Sequence, residues 1–278
     1  MTTDPVALHE RAREWGRSLL LRAPWDEATE RLSLLLVVPH SKWPMMIGPD
    51  RATFWLLIDR GSVPSLPESV RTPLMERGAI VQQHAATTSS PAITVVVRTV
   101  EGVERSIEGV TRHDMETRWA VVRAEAISDR LKRQETLAAQ ARLLPPDGLE
   151  RAIRALWLDA SRAANALWPL ETSPADALGS AGEMAMALAR LGCLLDEGAY
   201  PAVDELRAIG RSTRIGQRIK TWLDDVQIAV GGDSTAARRV LNAAAQVLEE
   251  TRVILAERYR DRDWLRDPAA YEMRLRQR

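Results

Sequence analysis

Two hydrophobic rhythms divide this chain. In the first third, short uninterrupted apolar runs stand between turn-forming residues; beyond it, apolar residues recur three and four positions apart. An Asp4-Pro5 start signal followed by Val6, Leu8, Trp15, Leu19 and Leu20 predicts a helix to about Arg22, with a second short helix near Trp25. Leu32 to Val38 is a compact apolar run closed by Pro39, and Phe54 to Ile58 is another; both predict buried strands. A helix is expected from Pro67 to Arg77, stopped by Gly78, and a short strand from Ala79 to Gln83. Ile93–Val100 and Val103–Val110 are β-branched runs separated by Glu101-Gly102, which predicts a hairpin and the end of the sheet.

Thr111 followed by Asp114 fits a capping box, and helical periodicity holds from there onward. Pro145-Pro146, Pro169, Pro174, Gly198 to Pro201 and Gly231-Gly232 cut it into segments. The main predicted helices are Leu149–Leu167, Ala175–Leu195, Val203–Gly210, Gln217–Val230 and Thr235–Tyr259. Sheet first and helices after predicts an α+β class, with a small mixed-sheet domain at 1–112 and a helical bundle at 113–278.

Charge narrows the function classes. Lys plus Arg equals Asp plus Glu at 38 each, so the formal charge is zero. Nucleic-acid binders draw affinity from basic residues that displace counterions, so no nucleic-acid partner is expected. The lone Cys193 can form neither an internal disulfide nor a cysteine-based zinc site, which fits a reducing compartment. The N-terminal stretch is charged throughout and lacks the apolar core of a signal peptide. No run approaches about 18 uncharged apolar residues, so the expectation is a cytoplasmic chain without a membrane partner.

There is no Walker-type loop, GxGxxG, GxSxG or zinc ligand set, and His9, His40, His84 and His113 lack metal-ligand spacing. The most informative stretch is Val37-Val-Pro-His-Ser-Lys-Trp-Pro-Met-Met-Ile-Gly-Pro-Asp-Arg-Ala-Thr-Phe-Trp-Leu-Leu-Ile-Asp59: a strand, a tight polar turn, a spacer and a second apolar strand. This layout resembles the nucleotidyltransferase superfamily, which places Gly-Ser after the first element and Asp-x-Asp on the next strand. Ser41 matches the family serine and His40 replaces the glycine. The resemblance puts Thr53 and Trp55 at the Asp-x-Asp positions and Thr94 near the third carboxylate. In the helical part, Ala124-Glu-Ala-Ile-Ser-Asp129, Asp196-Glu-Gly-Ala-Tyr-Pro201 and Trp222-Leu-Asp-Asp225 resemble elements of antibiotic nucleotidyltransferases of the kanamycin and lincosamide type.

The resemblance implies a metal-free cleft, because a hydroxyl is a weak neutral ligand and an indole is none, whereas nucleotidyl transfer needs Mg²⁺ held by carboxylates. No cofactor is therefore expected, and the anticipated partner is a polar small molecule bound between sheet and bundle. His40, Ser41, His113 and Glu183 are the candidate polar and proton-accepting groups, and Trp43 and Trp55 line the old nucleotide cleft. Glu183 stands where related enzymes place a carboxylate base. Thr53, Asp59, Asp114 and Glu116 complete the candidate binding set. Two rival readings remain: a working antibiotic nucleotidyltransferase that uses Asp59, Asp114 or Glu116 as shifted acids, and a non-enzymatic interaction protein. The latter would form a homodimer or meet a partner protein through its C-terminal helices, Thr235–Tyr259 and the Arg-rich tail.

Overall fold

A computed structural model describes residues 5–37, 51–87, 90–144, 146–167 and 174–276. The class is α+β, with a mixed five-stranded sheet in the N-terminal part and helices thereafter. The chain forms two compact units, Met1–Leu144 and Pro145–Arg278. The boundary expected at 112 falls inside the first unit, in the first turn of a helix that begins at Arg112.

Unit 1 runs α1 (Pro5–Leu19), β1 (Leu32–Val37), β2 (Arg51–Ile58), α2 (Glu68–Arg77), β3 (Ala79–His84), β4 (Ala92–Thr99), α3 (Val100–Glu108), α4 (Arg112–Val122), β5 (Ala124–Asp129) and α5 (Gln134–Arg142). The strand order is β3-β4-β2-β1-β5. β2 and β4 are parallel neighbours, and every other pairing is antiparallel. α2 ends where Gly78 takes φ +73°, a left-handed conformation that side chains disfavour.

Strand alternation gives the sheet two distinct inner faces. One face buries Leu34, Leu36, Phe54, Leu56, Ile58, Ile93, Val95 and Val97 beneath α1 and α2. α1 lies close because position 16 is glycine; a Cβ there would stand 2.7 Å from the Phe54 ring. The opposite face carries Leu35, Trp55 and Leu57 against Val100, Val103, Ile107, Val121 and Leu137 from α3, α4 and α5.

Two expectations for this unit are corrected. Glu101-Gly102 is not a hairpin turn but the first turn of α3. Thr99 Oγ1 accepts from Gly102 N at 3.1 Å, and Val100, Val103 and Ile107 recur on one helical face. The sheet also continues past 110, because Ala124–Asp129 adds to β1 as β5. The capping box does form at Thr111 and Asp114.

Unit 2 is helical throughout its described residues: α6 (Pro146–Asn165), α7 (Pro174–Glu197), α8 (Val203–Ser212), α9 (Arg214–Arg218), α10 (Lys220–Val230), α11 (Ser234–Tyr259), α12 (Asp263–Arg266) and α13 (Pro268–Arg276). The Ala177–Glu197 part of α7 is long and apolar enough to cross a membrane by length and composition, although Glu183 and Arg190 interrupt it, so it is not an uncharged apolar run of the kind whose absence was expected. Ala181, Met184, Leu188, Leu191 and Leu194 are buried on it, and it packs on α6, α8, α9, α10 and α11, as a core helix does. The inward stripe of α11 (Val240, Ala244, Val247, Thr251 and Leu255) is likewise buried, in contact with α6, α7, α9, α10 and α12.

Candidate functional site

Register decides which candidate residues meet. Thr53 of β2 is directly paired with Thr94 of β4, and Thr94 with Gln83 of β3. On the other side Thr53 pairs with Val37 of β1, and Val37 with Ala124 of β5. Directly opposed residues share a face, so Gln83, Thr94, Thr53, Val37 and Ala124 form one row across all five strands. The row lies on the α3–α5 face of the sheet, as Trp55, Leu57 and Leu35 do. Thr53, Thr94, Val37 and Ala124 are half-buried and Gln83 is exposed. The chain leaves the row at Val37 and returns to it at Arg51 and Ala52, so residues 38–50 join the two strands that carry it. His40, Ser41 and Trp43 belong to that segment and lie outside the described residues.

One step further into the sheet, the row Val81–Val96–Trp55–Leu35 is more apolar. Trp55 is only 8% exposed, and the Arg98 guanidinium carbon lies 5.3 Å from its ring centroid. The ring therefore packs in the lower core with a cation beside it rather than standing open to solvent.

Arg98 is a feature that sequence reasoning missed. It ends an apolar strand on the same face as Thr94 and Val96, yet is 6% exposed. Its Nη1 donates to Thr117 Oγ1 at 3.1 Å and its Nη2 to Ser106 Oγ at 2.9 Å, while Nε is buried with no hydrogen-bond partner. Arg118 is 1% exposed; its Nη1 donates to the carbonyls of Ala141 at 3.0 Å and Leu143 at 3.4 Å. Burial pushes both guanidinium pKa values down from the ordinary arginine value, and the nearby Asp114 charge opposes that shift. The available signal was a lone Arg at strand parity in Val95-Val-Val-Arg98.

Of the candidate acids, Asp59, Asp114 and Glu116 are engaged elsewhere. Asp59 stands at the far end of β2 from Thr53, about 20 Å along the strand. There its Oδ2 accepts from Gly61 N at 3.0 Å and caps a 3₁₀ turn. Asp114 Oδ2 accepts from Thr111 N at 2.8 Å in the capping box, and Glu116 accepts from Arg112 at 2.8 Å. His113 is exposed in the first turn of α4. Glu183 is exposed on α7 in unit 2. It lines neither of two clefts in that unit, one of about 230 Å³ between α6 and α13 and one of about 380 Å³ along α9 and α11.

The row's chemistry can be set against that of a bound divalent cation. Mg²⁺ is a hard ion that protein sites hold through carboxylates. The row offers two hydroxyls and one primary amide, and no group of three or more His, Cys, Asp or Glu among the described residues is placed to hold a metal. These residues do not fit the cation.

No protein-family model matches this chain, and no curated protein is similar to it. Among solved structures it is similar to the crystal structure of a nucleotidyltransferase-like protein from Exiguobacterium sibiricum 255-15 at 1.90 Å resolution. The TM-score is 0.45 at 14% identity, covering 91% of this chain and 81% of that one. A likeness that distant carries no weight beside the strand register.

Proposed function

We propose that unit 1 is a nucleotidyltransferase-like sheet domain whose binding row serves an uncharged polar small molecule. The ligand would be held by hydroxyl and amide groups rather than by a cation between carboxylates. The observation that carries this reading is the pairing of Thr53 with Thr94 on parallel neighbouring strands, extended by Gln83. These two threonines occupy the positions where the resemblance would put metal-holding acids, and they support the alignment by being direct neighbours. Each hydroxyl both donates and accepts, and the Gln83 amide does the same with separate atoms. Such a set matches sugar hydroxyls or amides. Val37, Val96 and Ala124 frame it with apolar surface, as in small-molecule sites generally.

Nucleotidyl transfer from a triphosphate needs developing charge neutralised by a cation and its acids. The reading therefore assigns the domain binding or metal-independent chemistry on a polar small molecule, of the kind handled in bacterial specialised metabolism. Calorimetric titration with Mg-ATP tests it: no EDTA-sensitive heat is expected, and clear micromolar binding abolished by EDTA would overturn it. A thermal-shift panel of aminoglycosides, lincosamides and neutral sugars supplies the positive arm. A stabilising ligand should lose its effect in the Thr53→Val/Thr94→Val double variant.

A further inference from the structure

The two edges of the sheet are protected very differently. β5, at one edge, carries Glu125 and Asp129, and Arg123, Arg130, Lys132 and Arg133 flank it. Its register with β1 shifts between Leu34 and Leu35. Glu125 also takes His9 Nε2 at 3.0 Å and the Arg13 guanidinium at 3.0 Å, which ties the edge to α1. Charges and breaks in register are what natural sheets use to stop an edge from pairing with another strand.

β3, at the other edge, has none of these devices. Its sequence is Ala79-Ile-Val-Gln-Gln-His84, and no Asp, Glu, Lys or Arg occurs from Gly78 to Val97. It pairs with β4 in unbroken register along its whole length and has no strand on its other side among the described residues. Val81, in its middle, is 59% exposed although it sits in the most regular part of the ladder.

We propose that β3 is a self-pairing edge, and that a second copy of this chain adds its own β3 antiparallel about a two-fold axis, joining the two five-stranded sheets into one. Charge argues for this occupant. A neutral edge gives no counter-charge to an acidic or basic strand, but two copies of it meet without any like charges opposed. Symmetry argues the same way, because a two-fold pair of antiparallel strands matches each residue with one on the same face. Centred on Val81, the pair sets Val81 against its own counterpart, Ile80 against Gln82 and Ala79 against Gln83. That register covers the exposed valine and gives the outward backbone groups of β3 partners. It leaves the Gln83–Thr94–Thr53 row on one continuous face, so the inference stands whether or not that row binds a ligand.

The test uses the full chain in size-exclusion chromatography with light scattering. A dimer is expected for the parent. Val81→Lys places two ammonium groups across the axis and should weaken the dimer at least about tenfold. Met75→Lys, at another exposed apolar position on α2, should leave it unchanged. Because Val81 is exposed, the Lys variant should keep the parent's circular dichroism. Under mild oxidation Val81→Cys should yield a covalent dimer, whereas the parent, whose one thiol at Cys193 is buried, should not. A parent that is monomeric up to about 0.1 mM, a dimer that Val81→Lys leaves intact, or a Val81→Cys chain that forms no cross-link would each overturn the proposal.

Discussion

The two faces of the unit 1 sheet share the same strands yet differ in what they bury. The α1–α2 face is apolar from β1 to β4, with Leu34, Phe54, Leu56, Val95 and Val97 all excluded from solvent. The α3–α5 face alternates apolar with polar: Thr53 and Thr94 at its open end, Trp55 in the middle, and Arg98 held by Thr117 and Ser106 beyond it. The contrast shows how labour is divided across one sheet. Hydrophobic burial on the first face anchors the strands. The second face can then carry hydroxyls and a buried cation, groups that contribute little net stability.

The largest expected effect tests the first half of that contrast. Phe54→Ala should destabilise unit 1 by about 3–5 kcal/mol, read from urea unfolding, because the ring is fully buried and packs 5.5 Å from Trp15. If the loss is below about 1 kcal/mol, the apolar face is not the anchor. Next comes Arg98. Arg98→Ala should cost about 2–3 kcal/mol by leaving a void beside Trp55 and removing the donors to Thr117 and Ser106. Arg98→Met fills the space without a charge to desolvate and should stay within about 1 kcal/mol of the parent. A Met variant as damaged as the Ala variant would show that the cation itself matters, and would break the claim that this face is energetically secondary.

A smaller effect sharpens the comparison at the open end. Thr53→Asp/Thr94→Asp puts two carboxylates on directly paired residues, and their repulsion should lower stability by about 1 kcal/mol. Millimolar Mg²⁺ or Mn²⁺ should restore it and give a binding isotherm that the parent lacks. Loss of stability without metal rescue would mean that the two side chains do not face a common ligand. The smallest effect is expected from Thr94→Val alone. It keeps the β-branched shape favoured in strands, so the change should lie within about 0.5 kcal/mol by the same unfolding assay.

How far these features could be read in advance differs element by element. β1 and β2 were legible because Leu32–Val37 and Phe54–Ile58 are unbroken apolar runs between turn signals. α11 was legible because its periodicity runs from Asp233, its cap, to Tyr259. Val103–Val110 was misread as a strand, and Glu101-Gly102 as the turn before it, because Val103, Ile107 and Val110 satisfy a β-branched count while Val100, Val103 and Ile107 satisfy a helical one. The cap from Thr99 and packing onto the sheet resolved the choice. β5 escaped because Ala124-Glu-Ala-Ile-Ser-Asp129 has one large apolar residue, and its extended state depends on pairing with a strand about ninety residues earlier.

The sequence by itself determined the class, most element positions, the balanced charge, and the absence of acids at Thr53, Trp55 and Thr94. All of these are properties of residue identity or of spacing within a few positions. Only the tertiary structure decided that Gln83, Thr94 and Thr53 form one row, that Arg98 is buried against Trp55, and that β3 is the unguarded edge. Local propensity acts over one turn or one strand, whereas register and edge position arise from hydrogen bonds between segments far apart in the chain. No local pattern encodes which strand will lie beside which.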